Sequence, residues 1–405
     1  MKLLKLSFAF IMTTTLVFSL MQPAAGSTFP SFSDGMSCQL KNPGSWAPFG
    51  FPRDQARLKS SGVIKAKMIF VDFPDAKATD RKSLGKVAKR YITKFEQFYR
   101  EQSYGQLDIQ VDFEPRYYRL PSSSRSYLMN LRKGDDGSGG SRYVRDAIDA
   151  ADPTVDFTGY EAIYVIPSNT NREITFGPSI PLRAGDELMK TDEGIILNGV
   201  IGGTDSRLRE NSLEWSWLAH ETGHLFGIAH PWKLNSDPQG RSEYSAAIAV
   251  WDLMVNLKTG STGEFLGWSR FQIGWIAPDR LTCIEADSIQ EKPTKFQIRP
   301  LWEAGSKSNF AVIKLSPTKA IAVEVRENNG LNKFPKSWEG PLVYEVDAGV
   351  TDSNGGLRVL GPTNRRHEGA IIGTLRPGGR VNYDTFVLTY LKKGTQGYEF
   401  EVRRR

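Results

Sequence analysis

The segment from Trp217 to His230 constrains this 405-residue chain more than any other, because it spaces three histidines in a fixed pattern. Its sequence is WLAHETGHLFGIAH. His220 and His224 are four residues apart, so both imidazoles lie on one face of an α-helix. Gly227 is a residue type that ends helices in a left-handed turn, after which two residues bring the chain to His230. The pattern therefore predicts a helix followed by a turn that gathers three imidazoles.

Three gathered imidazoles match the ligand set of a catalytic zinc, which takes three protein ligands and leaves a fourth position for water. Glu221 follows the first ligand, so its carboxylate is placed to take the proton of a zinc-bound water. The metal lowers the pKa of that water from about 16 to about 7. The alternative is that these are structural histidines. The chain holds four histidines, and since three occupy the ligand positions, we favour the metal. We interpret the fourth, His367, as a surface loop residue.

Residues 1–26 have the pattern of a secretory signal peptide. Lys2 and Lys5 precede an apolar run from Leu6 to Met21, and small residues follow up to Gly26. The run is shorter than the roughly 20 apolar residues that a membrane helix needs, although an uncleaved anchor is the alternative. We therefore expect a secreted, extracellular protein with no membrane span in its mature chain.

The charge of the chain argues against nucleic acid as a partner. The formal net charge is +7, with acidic residues interspersed among the basic ones. The terminal run Arg403–Arg405 is interpreted as a solvated tail. With 40% hydrophobic residues the chain can build a full core, and its length suggests two domains.

The two cysteines, Cys38 and Cys283, are the only ones in the sequence. In an exported chain we expect them to form one disulfide. The alternative is that the Cys38 thiolate caps the zinc in a latent precursor, but the surrounding residues show no feature that supports this role.

Periodicity predicts an order of β-α-β-α-β ahead of the histidine motif, which implies a mixed sheet with helices packed on it. The predicted strands are 62–73, 107–113 and 160–166, and the predicted helices are 80–102 and 141–151. The long irregular segment 167–195 is expected to border the cleft. A short strand over 195–203 has two interpretations, an edge strand that pairs with an extended peptide or an ordinary interior strand.

The residues around the motif add structural candidates. Asn211 or Ser212 is expected to cap the zinc helix. Met254, in the sequence WDLM, is the candidate for a methionine turn beneath the zinc, with core filling as the alternative. Asp252 is interpreted as a turn residue, and a carboxylate that orients a histidine ligand is the alternative.

The stretch HETGHLFGIAH, the turn WDLM, and the segments FLGWSRFQIGW and SYGQLDIQVDF together resemble the secreted bacterial metallopeptidases of the immune inhibitor A type, within the metzincins. The resemblance covers about residues 60–280. It implies a zinc endopeptidase with His220, His224 and His230 as ligands and Glu221 as general base.

Two departures from the family pattern matter. At the third ligand position this chain has His230, whereas immune inhibitor A, which is otherwise similar, has an acidic residue. Some metzincins carry an oxyanion-steadying tyrosine two residues after the turn methionine, where this chain has Asn256. The oxyanion then depends on zinc alone or on another donor such as Tyr244.

From residue 281 the pattern changes to short runs separated by Gly, Asn, Pro and Asp, which predicts an all-β sandwich. The expected fold is thus an α+β metzincin-like zinc protease domain followed by a β-sandwich domain. The predicted organisation is a signal peptide at 1–26, a lead-in or pro-segment at 27–60, a catalytic domain at 61–280 and a sandwich at 281–405. The acidic run Asp135–Gly140 does not match a calcium-binding loop, so calcium is an unsupported candidate.

The sequence therefore predicts a secreted zinc-dependent endopeptidase with one catalytic zinc ion and a protein or peptide substrate. A second hypothesis is a surface-binding or adhesion protein that uses a protease-like scaffold and acts through residues 281–405. A third is a zinc hydrolase that acts on a bond other than a peptide.

Overall fold

The computed structural model describes residues 34–44, 49–54, 57–207, 214–231, 248, 250–255, 263–305, 308–329, 333–350, 355–367 and 370–405. The chain divides into two units, Met1–Ser31 and Phe32–Arg405, and the described residues all belong to the second unit. Four predictions fall outside the described residues: the signal peptide at 1–26, the helix caps Asn211 and Ser212, the oxyanion candidate Tyr244, and Asn256.

The first part of the second unit mixes strands and helices. Its strands are β1 (Gly62–Asp72), β2 (Leu107–Arg119), β3 (Ala162–Pro167), β4 (Ser179–Pro181), β5 (Lys190–Thr191), β6 (Gly194–Ile195) and β7 (Asn198–Ile201). Its helices are α1 (Leu84–Gln102), α2 (Gly140–Ala151), α3 (Glu214–Leu225) and α4 (Gly267–Gln272).

Five of these strands form one sheet in the order β2-β1-β3-β7-β4. The strands β1, β2, β3 and β7 run parallel, and β4 is the antiparallel edge strand. Alternate residues of β1 face opposite sides, because side chains alternate along a strand. Met68 packs in the cluster that contains α1 and α3, whereas Ile69 packs in the cluster that contains α2. The sheet is therefore covered on both faces.

The amphipathic pattern predicted for α1 accounts for one of these layers. Its apolar residues recur at three- and four-residue spacing and are buried against the sheet and α3. They are Leu84, Val87, Ala88, Tyr91, Phe95, Phe98 and Tyr99.

Two larger β-sheets, mostly antiparallel, and one two-stranded hairpin follow among the described residues of the second part. The strands are β8 (Leu281–Glu285), β9 (Thr294–Ile298), β10 (Phe310–Lys314), β11 (Lys319–Arg326), β12 (Gly340–Asp347), β13 (Leu357–Val359), β14 (Arg366–His367), β15 (Ala370–Ile371), β16 (Arg380–Tyr383), β17 (Phe386–Gly394) and β18 (Gly397–Arg404). One sheet has the order β13-β12-β11-β10-β8 and the other β16-β17-β18-β9. The pair β8 and β10 is parallel.

The five-stranded sheet of the second part is buried on both faces. Ile313 on β10 and Val323 on β11 share a core cluster with Phe400 of the four-stranded sheet. The alternate residue Val312 packs instead with Trp268 of α4. The second part is thus joined to the first through an apolar core, and the predicted domain boundary at residue 280 stays a prediction.

A buried ion network also joins the two parts. Arg326 on β11 donates to Glu264 Oε2 at 2.9 Å and forms an ion pair with Glu324 at 2.5 Å. Arg270 of α4 lies 3.5 Å from Glu264 and donates to Gln102 Oε1 of α1 at 2.7 Å. Paired and hydrogen-bonded charges of this kind are costly to break singly, because the partner left behind is a buried charge.

Two predictions about the backbone need correction. The strand expected over 195–203 is divided into β6 and β7, and β7 lies inside the sheet between β3 and β4. It is interior because β4, from the preceding irregular segment, pairs along its outer side. The sequence predicts His367 in a surface loop, but its backbone pairs with Ala370 in the small β14–β15 hairpin.

The two cysteines form the predicted disulfide, Cys38–Cys283. Both residues are fully buried in the core cluster that includes Leu40 and Val312. Because the Cys38 sulfur is bonded to Cys283, the alternative of a zinc-capping thiolate is wrong for this structure.

Removing this disulfide should destabilise the protein. A Cys38→Ser, Cys283→Ser double variant is expected to lose about 2–5 kcal/mol of the free energy of unfolding, because the bond closes a long loop in the unfolded chain. Denaturant titration measures the change. Reductant should lower the stability of the wild type and leave the double variant unaffected, since the sequence holds no other cysteine. Equal stabilities with and without reductant would contradict this assignment.

Among the described residues, no helix is both long and apolar enough to cross a membrane.

Candidate metal centre

Helix α3 carries the histidine motif and is enclosed by the core. Its apolar residues Trp217, Leu218 and Leu225 are buried. The Tyr99 hydroxyl of α1 donates a 2.7 Å hydrogen bond to the Ala219 carbonyl. The helix is therefore held rigidly against α1, which suits a site that must keep side chains in fixed positions.

The three predicted ligands converge. Ligand-capable nitrogens of His220, His224 and His230 all lie within 4.8 Å of one another. Nε2 of His224 and Nε2 of His230 are 3.0 Å apart. Two Zn–N bonds of about 2.0 Å at a tetrahedral angle give a spacing of roughly 3.3 Å, so the observed separation is close to what zinc needs. Among the His, Cys, Asp and Glu side chains in the described part of the chain, these three histidines form a cluster that could hold a metal ion.

Backbone carbonyls orient two of the rings. His220 Nδ1 lies 2.8 Å from the Leu253 carbonyl, and His224 Nδ1 lies 2.8 Å from the Ile228 carbonyl. A carbonyl oxygen only accepts, so each Nδ1 carries the hydrogen and each Nε2 keeps its lone pair for a metal. The pKa of His220 is lowered to about 4, mainly by burial and to a smaller extent by electrostatic interaction with His230. Its imidazole is therefore neutral at pH 7, as metal binding requires.

Gly227 has the left-handed conformation that the sequence predicts, with φ at +85°. Its N–H bonds to the His224 carbonyl at 2.9 Å, and the Ile228 N–H bonds to the Gly223 carbonyl at 3.1 Å. The turn therefore satisfies helix-terminal carbonyls, directs the Ile228 carbonyl to His224, and returns the chain to His230.

Met254 lies against the histidine helix. It is fully buried, and a Cβ placed on Gly223 would be only 2.8 Å from the Met254 sulfur. The neighbouring Leu253 supplies the carbonyl that orients His220. Asp252 accepts the Met254 N–H at 3.1 Å, which is the contact of a turn residue. Burial raises the pKa of Asp252 to about 7.

Glu221 lies beside the histidines. Its Oε1 is 4.0 Å from His220 Nε2, and its side chain is 13% exposed. Its Oε2 accepts the Ser179 N–H at 3.1 Å. Burial, with a contribution from the nearby charge of Asp205, holds the pKa of Glu221 well above its ordinary value. A carboxylate with a raised pKa is better matched to accept a proton near neutral pH.

The contact from Ser179 places the edge strand β4 beside the site. On the sheet side of this segment, the Leu182 N–H donates to the Leu197 carbonyl, and the Pro178 carbonyl accepts the Ile201 N–H of β7. Backbone groups alternate in direction along a strand, so those of Ser179 and Pro181 point outward. Pro181 lacks an N–H, and proline is tolerated in a strand when that side faces away from the sheet. The outer edge of β4 thus faces Glu221, and part of the segment 167–195 borders the cleft as expected.

Sequence reasoning missed several residues of this site. Ser179, and the carbonyls of Ile228 and Leu253, act through backbone atoms that any residue type supplies. Asp205 could have been suspected as an acidic residue shortly before the motif helix. It accepts N–H groups from Gly177 and Gly203, both at 3.0 Å.

Other candidate features lie apart from this centre. Asp135 of the acidic run pairs with Arg125 and accepts the Asn130 N–H, so its carboxylate is already engaged and calcium gains no support. The described residues of the lead-in pack on the end of the histidine helix: the Leu58 N–H bonds to the Leu225 carbonyl at 3.0 Å.

Comparisons with known proteins give little further information. No protein-family model matches the chain, and no curated protein matches it. Among solved structures, catalytically inactive OgpA from Akkermansia muciniphila, in complex with an O-glycopeptide substrate (glycodrosocin), is similar at 11% identity and a TM-score of 0.31. The match covers 89% of this chain and 99% of that one. A likeness this weak carries no argument about fold or function.

Proposed function

We propose that this protein is a zinc-dependent endopeptidase. The observation that carries the proposal is the convergence of His220, His224 and His230 with the Glu221 carboxylate beside them and the edge strand β4 alongside. We propose further that the first part is metzincin-like. The left-handed Gly227, the buried Met254 packed beneath the helix, and the antiparallel edge strand support this assignment.

The three histidines would hold the zinc through Nε2 of each ring. When bound, zinc is a Lewis acid that lowers the pKa of a coordinated water and polarises a carbonyl. Glu221 has the general-base role: its Oε1, on the histidine side, takes a proton in the cleft and returns it to the leaving amine. Its Oε2 is held by the Ser179 N–H, which fixes the direction of the carboxylate.

The edge strand β4 would bind the substrate backbone. An extended peptide adds to a free strand edge through main-chain hydrogen bonds, here to the outward-facing carbonyls of Ser179 and Pro181, since the Ser179 N–H is bonded to Glu221 and Pro181 has no N–H. This explains how one surface can accept many sequences and still place a peptide bond next to Glu221. Export through residues 1–26, a catalytic domain at 61–280 and a β-sandwich domain at 281–405 belong to the same proposal.

The experiment that tests the proposal is cleavage of a diverse peptide library by the purified, zinc-loaded protein. We expect cleavage that a chelator abolishes and that zinc restores. Zinc content is measured on the same sample, so that inactivity of a metal-free preparation is recognised.

A zinc-loaded protein that cleaves no peptide would overturn the proposal. Binding of a cell-surface ligand by such a protein would support the surface-binding hypothesis instead. Turnover of ester or amide compounds that are not peptides would support the third hypothesis, a hydrolase of another class.

A further inference from the structure

A cavity of about 600 Å³ opens at the carboxyl end of the parallel strands. Asn169, which follows β3, and Gly203 and Thr204, which follow β7, line it together with Arg90 of α1. Its volume falls in the range of about 300–1,000 Å³ that is usual for ligand pockets. In open sheets of this kind, ligands bind outside the carboxyl ends of the strands. The cavity is separate from the three histidines, and the proposed chemistry does not use it.

The lining of this cavity carries more positive than negative charge. Four arginines and two carboxylates line it: Arg90, Arg132, Arg172, Arg207, Asp80 and Glu214. Both carboxylates are engaged, since Arg207 pairs with Asp80 at 3.2 Å and Arg90 pairs with Glu214 at 2.8 Å. The excess positive charge therefore comes from the remaining two arginines.

Arg132 and Arg172 have donor capacity left. Arg132 is exposed, and it has no hydrogen bond or ion pair to any described residue. Arg172 is exposed as well and donates through Nη1 to the carbonyls of Asn169 and Asn171. Guanidinium groups bind carboxylates through paired, charge-assisted hydrogen bonds. Most neutral polar side chains of the lining are already bonded, such as that of Asn169 to Thr79. The groups of the cavity that remain available are therefore mainly the guanidinium donors of Arg132 and Arg172, which favour an anion.

The strand directions connect this cavity to the cleft. Strand β4 is antiparallel to β7, so a peptide added antiparallel to the outer edge of β4 runs in the direction of β7. Strand β7 ends at Ile201 and leads into Gly203 and Thr204 of the cavity wall. The carboxyl-terminal segment of a peptide bound on β4 would therefore lead toward Arg132 and Arg172.

We infer that the cavity is a subsite for acidic side chains of a polypeptide substrate, on the carboxyl-terminal side of the bond that is cleaved. The inference rests on the proposed endopeptidase function, because it takes its direction from a peptide on β4. Arg132 and Arg172 are the specificity-determining residues, and the substrate class is a polypeptide that is acidic after the cleavage point.

Binding can be measured without turnover, using the zinc-loaded Glu221→Ala protein and fluorescence anisotropy. Three fluorescein-labelled pools of otherwise random peptides are compared. The first has three aspartates in the carboxyl-terminal half, the second has three aspartates in the amino-terminal half, and the third has three asparagines in the carboxyl-terminal half. We expect the first pool to bind about tenfold more tightly than the other two, as charge-assisted hydrogen bonds imply. Adding Arg132→Gln and Arg172→Gln should remove that difference.

The matched control is Arg403→Gln with Arg404→Gln, which removes the same charge from exposed positions on β18. This variant should keep the tenfold preference. Equal binding of the three pools, a preference that survives R132Q and R172Q, or the same loss in the control would each overturn the inference. A preference seen in a protein that cleaves nothing would refute the endopeptidase and keep the anion site. Cleavage of peptides with no acidic preference would keep the endopeptidase and refute the anion site.

Discussion

Glu221→Ala should lower kcat for peptide cleavage by about 10²–10⁴-fold, the usual contribution of a positioned general base. The zinc content should stay at the wild-type level, because Glu221 lies beside the ligand group and not in it. Metal analysis and cleavage kinetics on the same preparation measure both quantities. Glu114→Ala, which removes a carboxylate paired with Lys67 at 3.0 Å, is the control and should leave kcat unchanged.

Either of two outcomes would contradict the role of Glu221. An active Glu221→Ala protein would show that another group moves the proton. Loss of zinc together with activity would show that the carboxylate supports the metal, and the assignment of His220, His224 and His230 as a complete ligand set would need revision.

His224→Ala should weaken zinc affinity by more than about 100-fold, since replacing even an outer partner of a zinc ligand costs roughly 10–100-fold. The two remaining histidines, His220 and His230, cannot supply the three protein ligands that a catalytic zinc takes. Competition against a chromophoric chelator measures the affinity. Zinc should also raise the melting temperature of the wild type and have little effect on the variant, because only a folded site that binds zinc is stabilised by it.

The control for this experiment is His367→Ala, the remaining histidine of the sequence. Its zinc affinity should match that of the wild type. An unchanged affinity in His224→Ala, or an equal loss in His367→Ala, would show that zinc is held elsewhere.

The parts of the site that follow from local spacing could be predicted from the sequence. A four-residue helical step brings His220 and His224 together, and only a residue that tolerates a positive φ, such as Gly227, suits the turn before His230. The Cys38–Cys283 bond was predictable because the chain offers no other pairing.

The parts that depend on contacts distant in sequence could not be predicted in this way. Strand β4 is three residues long and its place is set by pairing with β7, so no periodicity marks it. The parallel pairing of β8 with β10 and the ion pair of Arg326 with Glu264 likewise exist only in the folded chain. The sequence predicts the short strands of the second part, but it does not predict which strands pair within each sheet.

The bond between Cys38 and Cys283 closes a covalent ring that contains His220, His224, His230 and Glu221. Any single backbone cut inside that ring leaves the two fragments linked. A protein exposed to proteolysis would therefore persist as one covalent molecule after a nick. Such nicking would be invisible on a non-reducing gel and would appear as two bands once the sample is reduced.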